Sequence, residues 1–361
     1  MHKITVNLGM RSYKIIVGRN ITGQLGKVLK RLNIGSDAFI ITNNFLKNKY
    51  GAKLAQSLSA AGINFIFKTV LDSEKSKSIE TASIVIKDVA KFDRKKKVFI
   101  IAFGGGVIGD LAGFVASVYK RGTNYIQVPT TLLAQVDSAI GGKTALDLAS
   151  GKNLVGAFYQ PRLVFSDVEF LKTLDNKQLG SGMAEVIKYA VIKDAKLFTY
   201  LETRHKALSS GSAHALMEII GSCSRIKALI TSKDEKESLG LRTILNFGHT
   251  IGHAIEAAGG YKRYNHGQAV GLGMIAAVNL SAVLGLIDRK VSERVKDLIE
   301  LYGLPVKLKN VPLDKIIKAH YYDKKFSGKE NKLVLISAIG QAKIVRNVRL
   351  DLIKQAVNSI V

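Results

Sequence analysis

The pattern of hydrophobic positions divides the chain into two parts with different predicted structure. In the first part, short apolar or β-branched runs alternate with segments of helical periodicity. The runs of strand length are residues 4–8, 13–17, 38–42, 64–69, 98–103 and 125–128. The helical segments between them include residues 45–61 and 78–92. This alternation predicts an α/β, Rossmann-like layer with a mostly parallel sheet.

From about residue 170 onward, strand-like runs nearly disappear and helical periodicity dominates. The predicted helices of this part are residues 182–193, 213–231, 249–258, 267–286 and 291–302. A late pair of short runs, residues 332–336 and 342–345, predicts a small hairpin. We therefore predict an α/β domain over residues 1–170 and a mainly α-helical domain over residues 171–361.

One uncharged segment, residues 269–287, is long enough to cross a bilayer. It contains Asn279, Ser281 and three glycines, and no second convincing span accompanies it, so we interpret it as a buried core helix. The N-terminus lacks a signal-peptide pattern, and the single cysteine, Cys223, cannot form an intrachain disulfide. We expect a cytoplasmic protein with no membrane partner.

The chain is strongly basic, with 54 Lys and Arg against 28 Asp and Glu and a net charge of +26. Such an excess is typical of nucleic-acid-binding proteins, but also suits an anionic small-molecule substrate. The basic residues are spread along the chain, without a basic tail, an RNA-binding signature or a zinc finger. Charge alone does not decide between these functions, although nucleic acid is the less favoured partner.

A glycine-rich segment, residues 104–109, fits the pattern G-x-G-x-x-G and follows the apolar run 98–103. Glycines there let the backbone approach a phosphate, and the N-terminus of the next helix favours negative charge. The acidic residue usual about 20 positions later is missing, since Lys120 and Arg121 stand there. A tight turn with close helix packing is the alternative to a nonstandard dinucleotide site.

Two further loops place lysines beside glycine turns or polar residues. Asp137 and Lys143 lie in one loop, which we expect to follow a short helix, and Lys152 and Asn153 come shortly afterwards. Lysine side chains beside glycine turns suit phosphate oxygens. The alternative for any single lysine is a solvated loop residue.

Histidines are concentrated in a short stretch that contains His249, His253 and His266. His249 and His253 are four residues apart, so a helix places them on one face. A catalytic zinc ion takes three protein ligands and leaves one position open. Three histidines would satisfy that requirement, and Glu185 and Glu256 are the carboxylate candidates. For Glu185, a surface salt bridge with Lys188 three residues later is the alternative to a metal role.

The chain resembles the 3-dehydroquinate synthases of the sugar-phosphate cyclase superfamily over nearly its full length. The matching segments are residues 104–114, 121–122, 128–138, 141–144, 152–153, 158–161, 182–188, 245–253 and 266–267. The resemblance implies an active site in the cleft between an NAD-binding and a metal-binding domain, and a homodimer. It implies zinc or cobalt bound by Glu185, His249 and His266, which moves His253 from the metal to the substrate phosphate.

The resemblance also implies roles for further residues. The NAD contacts it implies are Asn43, Glu74, Lys77, Gly105, Gly106, Asp110, Thr130, Thr131, Lys152 and Thr173. The substrate contacts it implies are Arg121 (from the neighbouring subunit), Asp137, Lys143, Asn153, Lys188, Lys227, Arg242, Asn246, His253, and Lys324 or Lys325. The residues it assigns to catalytic steps are His253, Glu237, Lys188 and Asn246. Among the substrate contacts, Lys227 and Arg242 are the pair implied to hold a carboxylate.

The reaction implied by the resemblance converts 3-deoxy-D-arabino-heptulosonate 7-phosphate to 3-dehydroquinate and phosphate. Its steps are transient oxidation by NAD, β-elimination of phosphate, reduction, ring opening and an intramolecular aldol closure. Two departures from the family pattern lie near implied site residues. Gln268 replaces a glutamate, so we expect a carboxylate beside His266 to be lost. The segment 234–242 is one residue longer than usual, which affects the assignment of the proton-acceptor role to Glu237.

Overall fold

The computed structural model describes residues 1–93, 96–321 and 331–361. These residues form two compact units. The first contains Met1–Leu174 and Leu216–Lys236, and the second contains Asp175–Ala215 and Glu237–Val361. The first break lies close to the predicted boundary at residue 170, whereas the return of Leu216–Lys236 to the first unit makes both units discontinuous.

The two units differ in secondary structure. The strands are β1 (His2–Val6), β2 (Tyr13–Gly18), β3 (Asp37–Thr42), β4 (Asn64–Thr69), β5 (Val98–Gly104), β6 (Tyr125–Pro129), β7 (Lys143–Leu148), β8 (Gly151–Phe158), β9 (Leu163–Asp167), β10 (Lys332–Ala338) and β11 (Gln341–Arg346). The α-helices are α1 (Leu25–Leu32), α2 (Asn44–Ser59), α3 (Ile79–Phe92), α4 (Gly106–Val118), α5 (Asn176–Lys193), α6 (Ala195–Ser209), α7 (Ala213–Lys233), α8 (His249–Ala258), α9 (His266–Val283), α10 (Arg289–Leu301), α11 (Leu313–Tyr321) and α12 (Leu350–Asn358).

A seven-stranded sheet with the order β1-β2-β9-β6-β5-β3-β4 forms the centre of the first unit. All neighbouring pairs in it are parallel except β1 and β2. Alternate residues of β3 enter two different hydrophobic clusters, Ile40 in one and Phe39 and Ile41 in the other. Successive side chains of a strand point to opposite faces, so the sheet is covered on both faces. The predicted α/β class with a mostly parallel sheet is confirmed.

The pattern of apolar runs predicted six strands of the sheet within about two residues of their observed bounds, but it did not predict β7, β8 and β9. Strands β7 and β8 pair with each other as an antiparallel hairpin outside the main sheet. Many of their residues are only partly buried, so they lack a continuous apolar run. Strand β9 is fully buried but has only five residues, and it joins the sheet between β2 and β6.

The second unit is mainly helical, and its described strands are the hairpin of β10 and β11. Among the described residues, α9 is the one helix that is long and apolar enough to cross a membrane. Its hydrophobic window is 72% buried inside the protein, as the interpretation of a core helix requires. Helices α5 and α8 both pack against it.

Glycines allow α9 to approach its neighbours at backbone contact. A Cβ atom on Gly273 would lie 2.0 Å from the carbonyl oxygen of Gly248, directly before α8. A Cβ atom on Gly267 would lie 2.3 Å from Cα of Ser181 in α5. Any side chain at these positions would force the helices apart. The close approach brings together the residues at the N-termini of α8 and α9, which are His249 and His266.

We predict that Gly273→Ala lowers the free energy of unfolding by about 3 kcal/mol or more, because its methyl group must displace backbone atoms. Gly271→Ala, in the same helix, is the matched control, since its Cβ would lie 3.6 Å from the nearest atom, Cγ2 of Ile299. We expect this control to unfold like the wild type or to gain up to about 1 kcal/mol from helix propensity. Urea unfolding measures both, and a Gly273→Ala protein of wild-type stability would contradict the contact.

Candidate metal and cofactor sites

Three elements of the second unit supply the predicted metal ligands. Glu185 lies in the middle of α5, whereas His249 and His266 are the first residues of α8 and α9. Helix α8 starts after Gly248, whose φ of +75° is accessible to glycine at little cost. Helix α9 starts with a capping box, in which the side chains of Asn265 and Gln268 bond each other's backbone N–H. The N-terminal structures of α8 and α9 therefore determine the positions of the two histidines.

The ligand atoms of the three residues converge. Oε1 of Glu185 lies 3.3 Å from Nε2 of His249 and 3.2 Å from Nε2 of His266. All three ligand atoms lie within 4.8 Å of one another. A fully buried carboxylate facing two imidazole nitrogens fits a divalent cation with three protein ligands and an open position. The geometry therefore supports the predicted ligand set.

The charge states of these groups follow from burial and from their neighbours. Burial lowers the pKa of His249 to about 4, so the ring is neutral at pH 7, as a metal ligand must be. Burial also acts to lower the pKa of His266, but Glu185 and Glu256 raise it to about 10, so a metal ion must displace a proton from this ring when it binds. The pKa of Glu185 is well below its usual value, because Lys188 and His249 outweigh the effect of burial.

Lys188 forms an ion pair with Oε2 of Glu185 on the same helix. The alternative of a surface salt bridge is wrong, because Glu185 is 0% and Lys188 is 1% exposed. A buried pair compensates a charge that would otherwise be costly. Lys188 is thus placed beside the candidate metal ligands, where it is predicted to face substrate hydroxyls.

His253 lies one turn after His249, with the two ring centroids 5.4 Å apart. Its Nδ1 lies 2.8 Å from Oε2 of Glu256, and its side chain is 47% exposed. Oε1 of Glu256 lies 3.7 Å from Nδ1 of His266, so one carboxylate faces both rings. His253, Glu256 and His266 form a second, overlapping group with metal-binding geometry among the described residues. The three-residue spacing from His253 to Glu256 is the sequence signal for this contact.

The predicted loss of a carboxylate beside His266 is wrong. The side chain of Gln268 accepts a hydrogen bond from the backbone N–H of Asn265 at 3.1 Å, and so belongs to the helix cap. Glu256, which comes from α8 rather than from the sequence after His266, supplies a carboxylate at Nδ1 of that histidine. The sequence around His266 could not predict this contact, because Glu256 lies in a different helix.

A predicted substrate residue of the second unit contacts a predicted catalytic residue. Nε of Arg242 lies 3.2 Å from Oε1 of Glu237, the predicted proton acceptor. Arg242 is 2% exposed, and Glu237 has a φ of +59°. Asn246 ends the 3-10 helix Leu241–Asn246, three residues before His249. The predicted contacts Lys324 and Lys325 lie outside the described residues.

In the first unit, Lys77 is the centre of a buried charge cluster. Its Nζ lies 2.9 Å from Oδ2 of Asp110 and 3.5 Å from Oε1 of Glu74, and it also bonds the side-chain oxygen of Asn153. Burial acts to lower the pKa of Lys77, but Asp110, Glu74 and Asp147 raise it. Three predicted NAD contacts therefore lie together with one predicted phosphate contact.

The glycine segment connects β5 to α4, as its pattern predicted. A Cβ atom on Gly105 would lie 3.0 Å from Cγ2 of Thr131, and the N–H of Thr130 bonds the carbonyl oxygen of Gly104. These residues lie at the carboxyl ends of two neighbouring parallel strands, which is where open α/β sheets bind ligands. Gly106 begins α4, so its N–H lies at a helix N-terminus.

The remaining predicted NAD contacts are distributed over other parts of the first unit. Asn43 follows β3, and its side-chain oxygen accepts a hydrogen bond from the N–H of Leu46 as the cap of α2. Thr173 accepts a hydrogen bond from the hydroxyl of Tyr50 at 3.3 Å. Lys152 lies in β8 and is exposed. No direct contact joins these three residues among the described interactions.

Three predicted substrate contacts of the first unit have defined local settings. Asp137 lies within a π-helical turn, Ala134–Ser138, rather than after a helix as expected, and its side chain pairs with Lys227 of α7. Nζ of Lys227 also donates to the backbone oxygen of Asp137 at 2.9 Å. Lys143 starts β7 and is exposed. Arg121 is exposed and has a left-handed backbone with φ of +62°.

Asp110 gives this cluster a testable pH dependence. Burial raises the pKa of Asp110 to about 6, against the attraction of Lys77. Between the unfolded value of 3.8 and about 6, the folded state holds the proton more tightly, so folding stability falls as the pH rises through this window. We predict that Asp110→Asn removes this fall, worth about 1–3 kcal/mol, in urea unfolding between about pH 4 and about pH 7.

The matched control is Asp88→Asn, which should change the pH profile in the opposite direction. A hydrogen bond from Lys68 lowers the pKa of Asp88, so this carboxylate stabilises the wild type as the pH rises. If the stability difference between Asp110→Asn and the wild type did not depend on pH, the raised pKa of Asp110 would be refuted.

Comparison with known families gives matches over both units. Residues 67–181 match the family described as the 3-dehydroquinate synthase N-terminal domain, and residues 182–326 match its C-terminal domain. The curated 3-dehydroquinate synthase of Pelotomaculum thermopropionicum is 44% identical over 348 residues, which cover 96% of this chain and 93% of that protein.

Solved structures of two synthases resemble the chain in fold. One is a 2-deoxy-scyllo-inosose synthase complexed with carbaglucose-6-phosphate, NAD+ and Co2+, with a TM-score of 0.88, 25% identity and full coverage of both chains. Another is the 2-epi-5-epi-valiolone synthase of Streptomyces hygroscopicus with NAD+ and Zn2+, with a TM-score of 0.87, 27% identity and 96% coverage of each chain.

Proposed function

Since this chain belongs to the 3-dehydroquinate synthase family of enzymes, we propose that it converts 3-deoxy-D-arabino-heptulosonate 7-phosphate to 3-dehydroquinate and phosphate. The observation that carries the proposal is the convergence of Glu185, His249 and His266 on one position. Curated relatives that are 41–44% identical to this chain carry the name of this activity.

Two bound groups belong to the proposal. Glu185, His249 and His266 would hold a zinc or cobalt ion, and the residues around Gly105, Gly106 and Asp110 would hold NAD. The ion supplies Lewis acidity toward a substrate hydroxyl, and NAD supplies reversible hydride transfer. Both groups occur in the solved cyclases that resemble this fold.

The side chains of the chain itself bind and orient the substrate in this proposal. Its two anionic ends, a phosphate and a carboxylate, need cations and hydrogen-bond donors. For the phosphate we propose Lys143, Asn153, Asn246 and His253, with Arg121 contributed by the second subunit of a homodimer. For the carboxylate we propose Lys227 and Arg242. Their pairing with Asp137 and Glu237 keeps these cations compensated before an anionic substrate arrives.

Proton transfer is the other task of the side chains. His253 is the best placed candidate, because its ring is half exposed and its Nδ1 is held by Glu256. A carboxylate that accepts from one ring nitrogen leaves the other nitrogen to exchange a proton with substrate. Lys188 lies beside Glu185 and can hold a hydroxyl of the substrate by donating to it.

A cyclase for another sugar phosphate is the second candidate, because a structural relative binds a glucose 6-phosphate analogue. The buried Arg242 and Lys227 favour the carboxylate-bearing substrate, since a site built for a carboxylate discriminates against a substrate that lacks it. The experiment is phosphate release from the heptulosonate and from glucose 6-phosphate, each with and without NAD and a chelator. Phosphate release from the heptulosonate that requires NAD and metal supports the proposal. Phosphate release from glucose 6-phosphate but not from the heptulosonate contradicts it.

We predict that His249→Ala loses tight metal binding and reduces phosphate release to the level of the chelated wild type, because one of three ligands is removed. His214→Ala is the matched control, since His214 is exposed on α7 and outside both groups with metal-binding geometry. Metal content after dialysis and phosphate release are measured for both variants. Full turnover by metal-free wild-type protein, or by His249→Ala, would refute the metal assignment.

A further inference from the structure

The outer nitrogens of the two candidate ligand imidazoles have different partners. Nδ1 of His249 lies 3.1 Å from the backbone oxygen of Phe247, an acceptor fixed by the chain itself. Nδ1 of His266 instead faces a side chain, Oε1 of Glu256, at 3.7 Å. This distance is longer than a hydrogen bond, so in this geometry the carboxylate acts on the ring by its charge. The described side-chain partner at the outer nitrogen of His266 is therefore one carboxylate from a neighbouring helix.

The second oxygen of the same carboxylate holds His253. Oε2 of Glu256 lies 2.8 Å from Nδ1 of that ring, which is the distance of a charge-assisted hydrogen bond to a carboxylate. The ring centroids of His253 and His266 lie 6.1 Å apart, with 33° between the ring planes. Glu256 is 9% exposed and lies on α8 with His253, so helix geometry fixes it relative to that ring. One carboxylate thus links a predicted metal ligand to a predicted phosphate contact.

We propose that Glu256 is a positioning residue that orients the imidazole of His266 toward the metal and that of His253 toward the substrate. The inference rests on the proposed function, because it assigns the metal to Glu185, His249 and His266. Carboxylates on the outer nitrogen of a metal-bound histidine fix the ring and increase its basicity. In this chain the role falls to Glu256, since Gln268 is engaged at the cap of α9.

Two variants separate the charge of Glu256 from its shape. Glu256→Gln keeps the length of the side chain and one acceptor oxygen, whereas Glu256→Ala removes both acceptors. We expect Glu256→Ala to weaken Co2+ binding about 10–100-fold, with a smaller loss for Glu256→Gln. Competition with a chromophoric chelator measures the Kd. The visible absorption bands of bound Co2+ should change in the same variants, because they report ligand geometry rather than folding stability.

The predicted effect of Glu256 on substrate binding is measured by KM. Because Glu256 also holds His253, we expect KM for the phosphorylated substrate to rise in Glu256→Ala even at saturating Co2+. Glu293→Gln is the matched control, since Glu293 is 60% exposed and pairs with Arg289 on the surface of α10. This control should match the wild type in Co2+ affinity, absorption and KM.

The outcomes distinguish this inference from the proposed function. If the wild type binds Co2+ tightly, His249→Ala does not, and both Glu256 variants bind like the wild type, the positioning role is overturned while the proposed site stands. If the wild type binds two equivalents and Glu256→Ala binds one, Glu256 is a ligand of a second ion, and the proposal is likewise overturned. If the wild type binds no Co2+, the proposed function fails and this inference fails with it.

Discussion

Glu185 is a fully buried carboxylate in the middle of an 18-residue helix, and a charge in that position is costly unless cations or hydrogen-bond donors surround it. Lys188 on the same helix contacts one of its oxygens, and Nε2 of His249 and His266 face the other. The N-termini of α8 and α9 must therefore both reach α5. Gly267 and Gly273 permit this approach, because a side chain at either position would clash with backbone atoms. The same close packing of helices therefore holds the helical unit together and brings the candidate metal ligands into contact.

Much of the fold could be predicted from local pattern, because its central elements bury a regular set of apolar positions. The buried parallel strands β3 and β5 and the amphipathic helix α10 have the periodicity of their structure in the sequence. The hairpin of β7 and β8 lacks this signal, since much of it faces solvent. The return of Leu216–Lys236 to the first unit depends on long-range packing that no local window contains.

The candidate site shows a similar limit. Spacing places His249 and His253 on one helix face, so both qualify equally as ligands until a third residue is known. The family resemblance exchanged His253 for Glu185, and the geometry supports that exchange, because Glu185 faces the rings of His249 and His266. The contact of Glu256 with His266 could not be predicted from the local sequence pattern. Its contact with His253 is local, whereas its contact with His266 joins two helices.

The central claim is that the metal is held by one carboxylate and two imidazoles. X-ray absorption of the Co2+-loaded protein tests it most directly, because multiple scattering from imidazole rings counts the histidine ligands. The account predicts two imidazoles with oxygen ligands in the wild type, and the same two in His253→Ala. Three imidazoles in the wild type, with one lost in His253→Ala, would contradict it and restore the three-histidine alternative.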